Sequence, residues 1–371
     1  MTLAIALEID GAGSHPAAWR RAATPPHQHL DPERLRRLGE AVERAGFTLA
    51  TLEDDLLPPG PPAPVGRIGA IERAAFLAEI TSGLGLVPMV STTHTEPFHV
   101  SSSLAALDHI SHGRAGWLVT ASPGPEAARA WGRTAVTDPS ALRREADDSI
   151  HVARGLWDSW EDDAVIRDVT TSRYLDRDRL HYIDFEGEAY SVKGPATVPR
   201  PPQGHLVVFA APELVEPALV DVALVTGRDV TSVAAAADAA GAAPRRFAEV
   251  EVALDTPETT GEARVAALAA HAPWPDQGRL RYVGDSTGLV RLLTELARHV
   301  DGVRLHPLVI DEDLAVLSKL VIPRLIVERV SARPIPGQSL RATLGLDRPA
   351  NQFASAAAAT VSTTSIEGST R

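Results

Sequence analysis

The chain has no cysteine, which excludes disulfide cross-links, thiolate metal sites and cysteine nucleophiles. It also lacks any excess of positive charge. Against 36 Lys and Arg stand 48 Asp and Glu, a formal net charge of -12, which argues against nucleic acid or an anionic membrane as partner. No apolar run approaches the roughly 20 residues that span a bilayer. Residues 1–10 have no basic start and read as a first strand, not a signal peptide, so a cytoplasmic location is expected. Two nucleotide and hydrolase signatures are missing as well. Gly11 and Gly13 follow the first strand, but Pro16 stands where a third glycine would complete a nicotinamide fingerprint. No Gly-x-Ser-x-Gly elbow occurs for a Ser-His-Asp hydrolase.

What is present is a chain of 371 residues, 44% of them hydrophobic, enough for one large α/β barrel or two ordinary domains. Residues 84–132 favour the barrel. An apolar run at 84–90, helical spacing of Leu104, Leu107 and Ile110, and a second run at 115–119 make a strand, a crossover helix and a parallel strand. Ligands meet such units at the carboxyl ends of their strands, where Ser91, Thr92, Thr93, His94, Glu96 and His99 cluster.

The same alternation recurs along the chain. Strands are expected at 3–8, 47–52, 206–210, 222–225, 247–254, 280–283 and within 300–307. Asp31-Pro32-Glu33 and Asp138-Pro139-Ser140 each join an acid N-cap to a proline in the first turn, so helices start there. Another long helix is expected over 314–330 despite Pro323, and the alanine run at 234–240 is helical by propensity. Residues 58–64 form a proline-rich loop, 161–204 contain a hairpin around Tyr190 and Val192, and 350–371 are expected to be a disordered tail. No metal is expected, because the pairs His94/His99 and His109/His112 lack a third ligand.

Five blocks carry a family resemblance: VSTTHTEPFH at 90–99, LAALDHISHGRAGW at 104–117, AARAWG at 127–132, GLWDSWEDDAVIRD at 155–168 and SLRATLGLDRP at 339–349. They resemble the flavin-dependent monooxygenases of the bacterial luciferase-like superfamily, in the branch acting on nitrilotriacetate, EDTA, dibenzothiophene sulfone and long-chain alkanes. The resemblance covers most of residues 3–349. It implies one TIM (β/α)8-type barrel domain over 1–349, with an insertion at 161–204 between barrel units and a shortened C-terminal half. It further implies reduced FMN at the barrel mouth, dioxygen, a small organic substrate and a homo-oligomer. With no nicotinamide fingerprint, the reduced FMN would come from a separate flavin reductase. At matching positions, His15, His94 and His99 are the expected catalytic residues. Asp54, Ser91, Thr92, Trp117, Ser122 and Arg143 are the expected cofactor contacts, and Val90, Phe98, Trp117 and Trp19 an apolar shell. His306, at the end of the last strand, is weighed as a structural histidine against a pocket residue.

The chain also departs from that family. The loop that holds the FMN phosphate, Ala-Gly-x-Ser-x-x-Gly-Arg, is replaced by Ala210-Ala211-Pro212-Glu213-Leu214-Val215-Glu216. Proline offers no N–H, and two glutamates repel a dianion. The family's Gly-Trp-Asn is Gly116-Trp117-Leu118, its Arg-Asn-Phe-Gly is Arg129-Ala130-Trp131-Gly132, and its usual tyrosine is Arg143. Arg129, Arg133 or Arg143 would have to converge near Pro212 to grip a phosphate instead. Three readings stand: a two-component monooxygenase with an altered phosphate site, favoured because the His-rich loops survive; a non-catalytic or accessory barrel; and a deazaflavin-dependent oxidoreductase.

Overall fold

The structure is a computed structural model and describes residues 2–25, 28, 30–58 and 66–354. In chain order its strands are β1 (Ala4–Glu8), β2 (Leu49–Leu52), β3 (Gly85–Ser91) and β4 (Gly116–Thr120), then the insertion strands β5 (Val165–Asp168), β6 (Arg173–Leu175), β7 (Phe185–Glu186) and β8 (Ser191–Val192). There follow β9 (Val207–Ala210), β10 (Val222–Val225), β11 (Arg245–Leu254), β12 (Leu280–Gly284) and β13 (Gly302–Pro307). Eight of them, β1-β2-β3-β4-β9-β10-β11-β13, close into a parallel barrel through the β1–β13 pairing. All eight carboxyl ends therefore open on one side. β12 pairs only with the outer half of β11, from Val250 to Leu254, and so rides on the rim of that mouth.

The surrounding helices are α1 (Pro32–Ala45), α2 (Ala70–Ala78), α3 (Pro97–Ile110), α4 (Pro125–Ala130), α5 (Pro139–Asp158), α6 (Val230–Ala239), α7 (Gly261–Ala269), α8 (Ser286–Leu296), α9 (Ile310–Val316), α10 (Ile322–Val327) and α11 (Leu340–Thr343). Their starts follow the expected chemistry. Asp31, Glu96 and Asp138 each accept first-turn N–H groups ahead of a proline. The helix expected over 314–330 is instead α9 and α10 joined by a π turn, Leu317–Val321. That wider turn accommodates Pro323, which has no N–H and whose ring would meet the carbonyl four residues back. Between β9 and β10 there is no α-helix, only a single tight turn at Pro217–Leu219.

The pleat of each strand sorts its residues into two cores. Outward residues such as Ile5, Leu7, Leu52, Leu86, Trp117 and Val208 pack against the helices. Inward residues including Ala6, Leu49, Val87, Leu118, Phe209, Leu224 and Phe247 fill the barrel, and Leu340 and Leu344 of α11 plug its amino end. Phe209 and Phe247 meet edge to face at 5.9 Å. They fit because Gly302 leaves room: a methyl there would stand 2.4 Å from the Phe247 ring.

The β5–β6 and β7–β8 hairpins lie beside α5, where Val152, Leu156, Trp160, Val192 and Ala196 share a small core. The expected tail is still held at its start. The Asn351 amide donates to the carbonyls of Asp158 and Trp160 at 2.8 and 3.0 Å. The rest of that tail, 355–371, and all of the proline-rich loop but Pro58 lie outside the described residues. Among the described residues no helix is long and apolar enough to cross a membrane.

Arg114 fastens the base of β3 and β4. Its buried guanidinium donates to the carbonyls of Ala78, Thr81, Leu84 and Ser111 and to the Thr81 hydroxyl, all at 2.9 Å. Arg114→Met strands these acceptors and is expected to cost about 3 kcal/mol or more in urea unfolding. A loss below about 1 kcal/mol would contradict the assigned role.

Candidate active site

Inward positions near the carboxyl ends divide the throat into two halves. On β3, β4, β9 and β10 the inward positions are Met89, Leu118, Phe209 and Leu224, all apolar. On β1, β2, β11 and β13 the equivalent level carries Glu8, Thr51, Glu249 and Arg304, with Glu53, Glu251 and His306 above. Arg304 is the hub of the polar half. It is ion-paired with Glu8, lies 3.2 Å from Glu249 and 3.5 Å from Glu53, and donates from Nε to the Thr51 hydroxyl at 2.8 Å. Thr51 in turn donates to Glu8 at 2.7 Å. Nε2 of His306 lies 2.6 Å from Glu249, Arg279 lies 3.2 Å from Glu249, and Arg281 pairs with Glu251 at 2.7 Å.

Burial works against every charge here, so the pairings decide which groups are ionised. Burial alone would raise Glu249, but Arg304, His306 and Arg279 outweigh it and hold the carboxyl below the usual range. Burial also disfavours the Arg304 cation, yet Glu249, Glu8 and Glu53 hold its proton more firmly than usual. His306 is pushed down to about 4 by burial in spite of Glu249, so its neutral ring donates from Nε2 to that carboxylate. Glu53 behaves differently. Burial of its carboxyl and repulsion from Glu8 raise it to about 7, more than Arg304 can offset.

Two cavities open from this throat. One, about 410 Å³, lies in the apolar half against Met89, Leu118, Leu214, Leu224, Thr120 and Thr226, and reaches Glu249 and Arg304. The other, about 110 Å³, is lined by Glu8, Asp10, Ser14, Glu53 and His306. Gln277 and Arg279 line both and connect them.

The residues expected from sequence to form the site are only partly gathered. His15 is 2% exposed, its Nδ1 accepts from the Ala17 N–H at 3.0 Å, and its ring faces Trp274 at 6.1 Å. Burial, and then Arg281, keeps it neutral. His94 sits in left-handed backbone at φ 67°, lowered by burial and by Arg133. His99 stands exposed in the first turn of α3. None of the three lines either mouth cavity. The expected trio is therefore not brought together, because the α3 start turns His99 to solvent and the β1 loop folds over His15.

Asp54 and Ser91 do share a cavity, of about 220 Å³, with Met89, Thr95 and Trp131. Asp54 is already engaged in capping α2, accepting the Ala70 N–H at 2.6 Å. Ser122 donates to the Ser91 hydroxyl at 3.2 Å, and the Thr92 hydroxyl donates to the Thr120 carbonyl. Trp117 is a correction. It faces the helix layer, not the mouth, and its indole N–H donates to the Val90 carbonyl. A one-residue step in the pleat puts Leu118 in the throat instead. Arg143 is a second correction: its guanidinium is taken by Glu216 at 2.9 Å. Arg129 is turned to solvent beside Glu126, and Arg133, also exposed, acts on His94, so two of the three arginines are already paired with glutamates.

The loop after β9 has no helix start to offer an anion. Its Leu214 and Val215 amides donate to the Ala211 carbonyl, and the Glu216 amide donates to Asp147. The apolar cavity has the volume for an isoalloxazine ring, whereas this loop carries no Arg or Lys and its Leu214, Val215 and Glu216 N–H groups are already engaged. The throat residues Glu8, Glu249, Arg279 and Arg304 escaped the sequence reading. Their signal was present: Glu249 and Glu251, and Arg304 and His306, each put charge or imidazole on one face of an otherwise apolar strand.

Comparison with known proteins agrees with this architecture. The family described as luciferase-like monooxygenase matches residues 13–292, and the chain belongs to it. It is 33% identical over 275 residues to a component of the pristinamycin IIA synthase of Streptomyces pristinaespiralis, covering 69% of this chain and 89% of that one. It is 32% identical to the nitrilotriacetate monooxygenase of Aminobacter aminovorans over 57% of this chain, but spans only 49% of that relative's length. The crystal structure of a long-chain alkane monooxygenase superposes with a TM-score of 0.80 at 19% identity, covering 93% of this chain and 96% of the other.

The raised Glu53 gives a pH test. A carboxyl at about 7 in the folded chain and near 4.5 when unfolded adds stability that is complete below about pH 4.5 and is lost as pH rises through 7. Glu53→Gln should therefore gain on the parent protein between pH 5 and pH 8 in denaturant titrations. Parallel curves across that window would contradict the assignment.

Proposed function

We propose that the chain is a flavin-dependent monooxygenase, the oxygenase component of a two-component system. It takes reduced FMN from a separate flavin reductase and uses dioxygen to oxidise a small organic substrate. The observation that carries this reading is the cavity of about 410 Å³ at the carboxyl ends of β3, β4, β9 and β10, in a chain of the luciferase-like monooxygenase family. A bound reduced flavin supplies the oxygen chemistry. The chain's own part is to exclude water with Met89, Leu118, Leu214 and Leu224, and to offer rim hydrogen bonds from Thr120, Thr226 and Gln277. Because the loop after β9 carries no cation and its Leu214, Val215 and Glu216 N–H groups are engaged, affinity rests on the ring. The same proposal places one barrel domain over residues 1–349, in the cytoplasm and as a homo-oligomer.

The accessory reading is favoured by one observation, the Arg143–Glu216 pair that removes a cation from the phosphate side. An anaerobic titration separates the two. Photoreduced FMN and reduced riboflavin are expected to bind at about micromolar or tighter, within about three-fold of each other, and to reoxidise at an altered rate when air is admitted. Failure of both to bind, with unchanged reoxidation, would establish the accessory role.

A further inference from the structure

The cavity of about 110 Å³ beside the flavin-sized cavity is lined mainly by acceptors, the carboxylates of Glu8, Asp10 and Glu53 and the imidazole of His306, with the Gln277 amide and Arg279 as donors. Glu53 makes no hydrogen bond through its carboxylate among the described residues, and its nearest cation is Arg304 at 3.5 Å. Nδ1 of His306 has no partner among them either, because Nε2 is the nitrogen tied to Glu249, and the ring is 1% exposed. The charged donor on the wall, Arg279, is committed to Glu249 and Glu251.

Pairing identifies a missing positive charge. Asp10 is matched by Arg73, Arg67 is shared by Asp10 and Asp54 at 3.6 and 3.9 Å, and Glu251 is matched by Arg281, so these three carboxylates take up three arginines. Glu8, Glu53 and Glu249 then share Arg304 and Arg279, three carboxylates for two guanidiniums, and Glu53, which lines the cavity with Glu8 and Asp10, stands farthest from a guanidinium at 3.5 Å. A carboxylate partly withdrawn from water, as Glu53 is with its side chain 38% exposed, and without a counter-ion of its own is stabilised by a proton or by a cation. Among the described residues no three His, Asp or Glu side chains are grouped to hold a metal ion. The shape suits a compact organic cation with several N–H donors, each facing an unused acceptor.

We propose that this cavity is a substrate subsite for a protonated primary amine, held by Glu53 and the open face of His306. The shared wall of Gln277 and Arg279 lets the carbon body of the same molecule extend into the apolar half. The substrate class is therefore an alkyl or aryl amine whose apolar part is oxidised and whose ammonium group fixes its orientation. The oxidation in that statement rests on the monooxygenase reading; the recognition of the ammonium group does not.

Calorimetric titration of the full chain without flavin, at pH 7, tests the recognition. The probes are n-butylammonium chloride, 1-butanol and sodium butyrate, each in two buffers of different ionisation enthalpy. Butylammonium is expected to bind at least ten-fold more tightly than either analogue, and to release protons because Glu53, held at about 7 when empty, ionises beside the cation. Glu53→Gln should weaken butylammonium at least ten-fold and abolish the proton release, with magnesium chloride failing to compete. Equal binding of butanol or butyrate, no proton release from the parent protein, or unchanged binding by a folded Glu53→Gln variant would overturn the proposal. The selectivity and proton release of the parent protein stand as tests even if the variant fails to fold. Because no flavin is present, these outcomes are independent of whether flavin binds.

Discussion

A guanidinium enclosed in a barrel throat has to be matched, and the way Arg304 is matched organises everything above the apolar core. Desolvating an arginine is tolerable only where carboxylates and hydrogen bonds replace its water. Here Glu8 of β1, Thr51 of β2 and Glu249 of β11 close around a residue of β13. The pairing joins four adjacent strands and leaves β3, β4, β9 and β10 apolar at the same level. One wall of the mouth is thus charged, and the other suits a flat aromatic ring. Removing one carboxylate partner would strand the cation, so the two walls are coupled through a single side chain.

Much of the fold was legible in the sequence, because its signals are local. Acid N-caps before proline marked the starts of α1 and α5, short β-rich runs marked the barrel strands, and the 90–132 region gave the strand-end hydroxyl cluster. Misread features depend on direction or on distant partners. Trp117 and Leu118 are equally apolar neighbours, and only barrel closure decides which one enters the throat. His99, expected in the site, stands exposed in the first turn of α3, outside both mouth cavities. The ion pairs of Arg304 link residues up to 296 positions apart, a separation that no window of sequence reveals. Pro323 was expected inside one helix, and the chain absorbs it with a π turn.

The altered phosphate loop has a structural explanation as well as a sequence one. With no α-helix between β9 and β10, the segment has no helix start, and its Leu214, Val215 and Glu216 N–H groups are engaged with Ala211 and Asp147. Glu216 then serves a different purpose, pairing with Arg143 and tying the loop to α5. The sequence showed the motif was gone; the fold shows that the helix that would carry it is gone too. What persists is the apolar cavity, so any affinity for flavin must come from burying its ring.

The most direct test of this division of the throat is a crystal structure of the full chain soaked anaerobically with FMN. The account predicts ring density in the apolar half against Leu118 and Leu224, with residues 211–216 making no contact with the phosphate. A mouth that stays empty at saturating flavin, or a phosphate gripped by that loop, would contradict it.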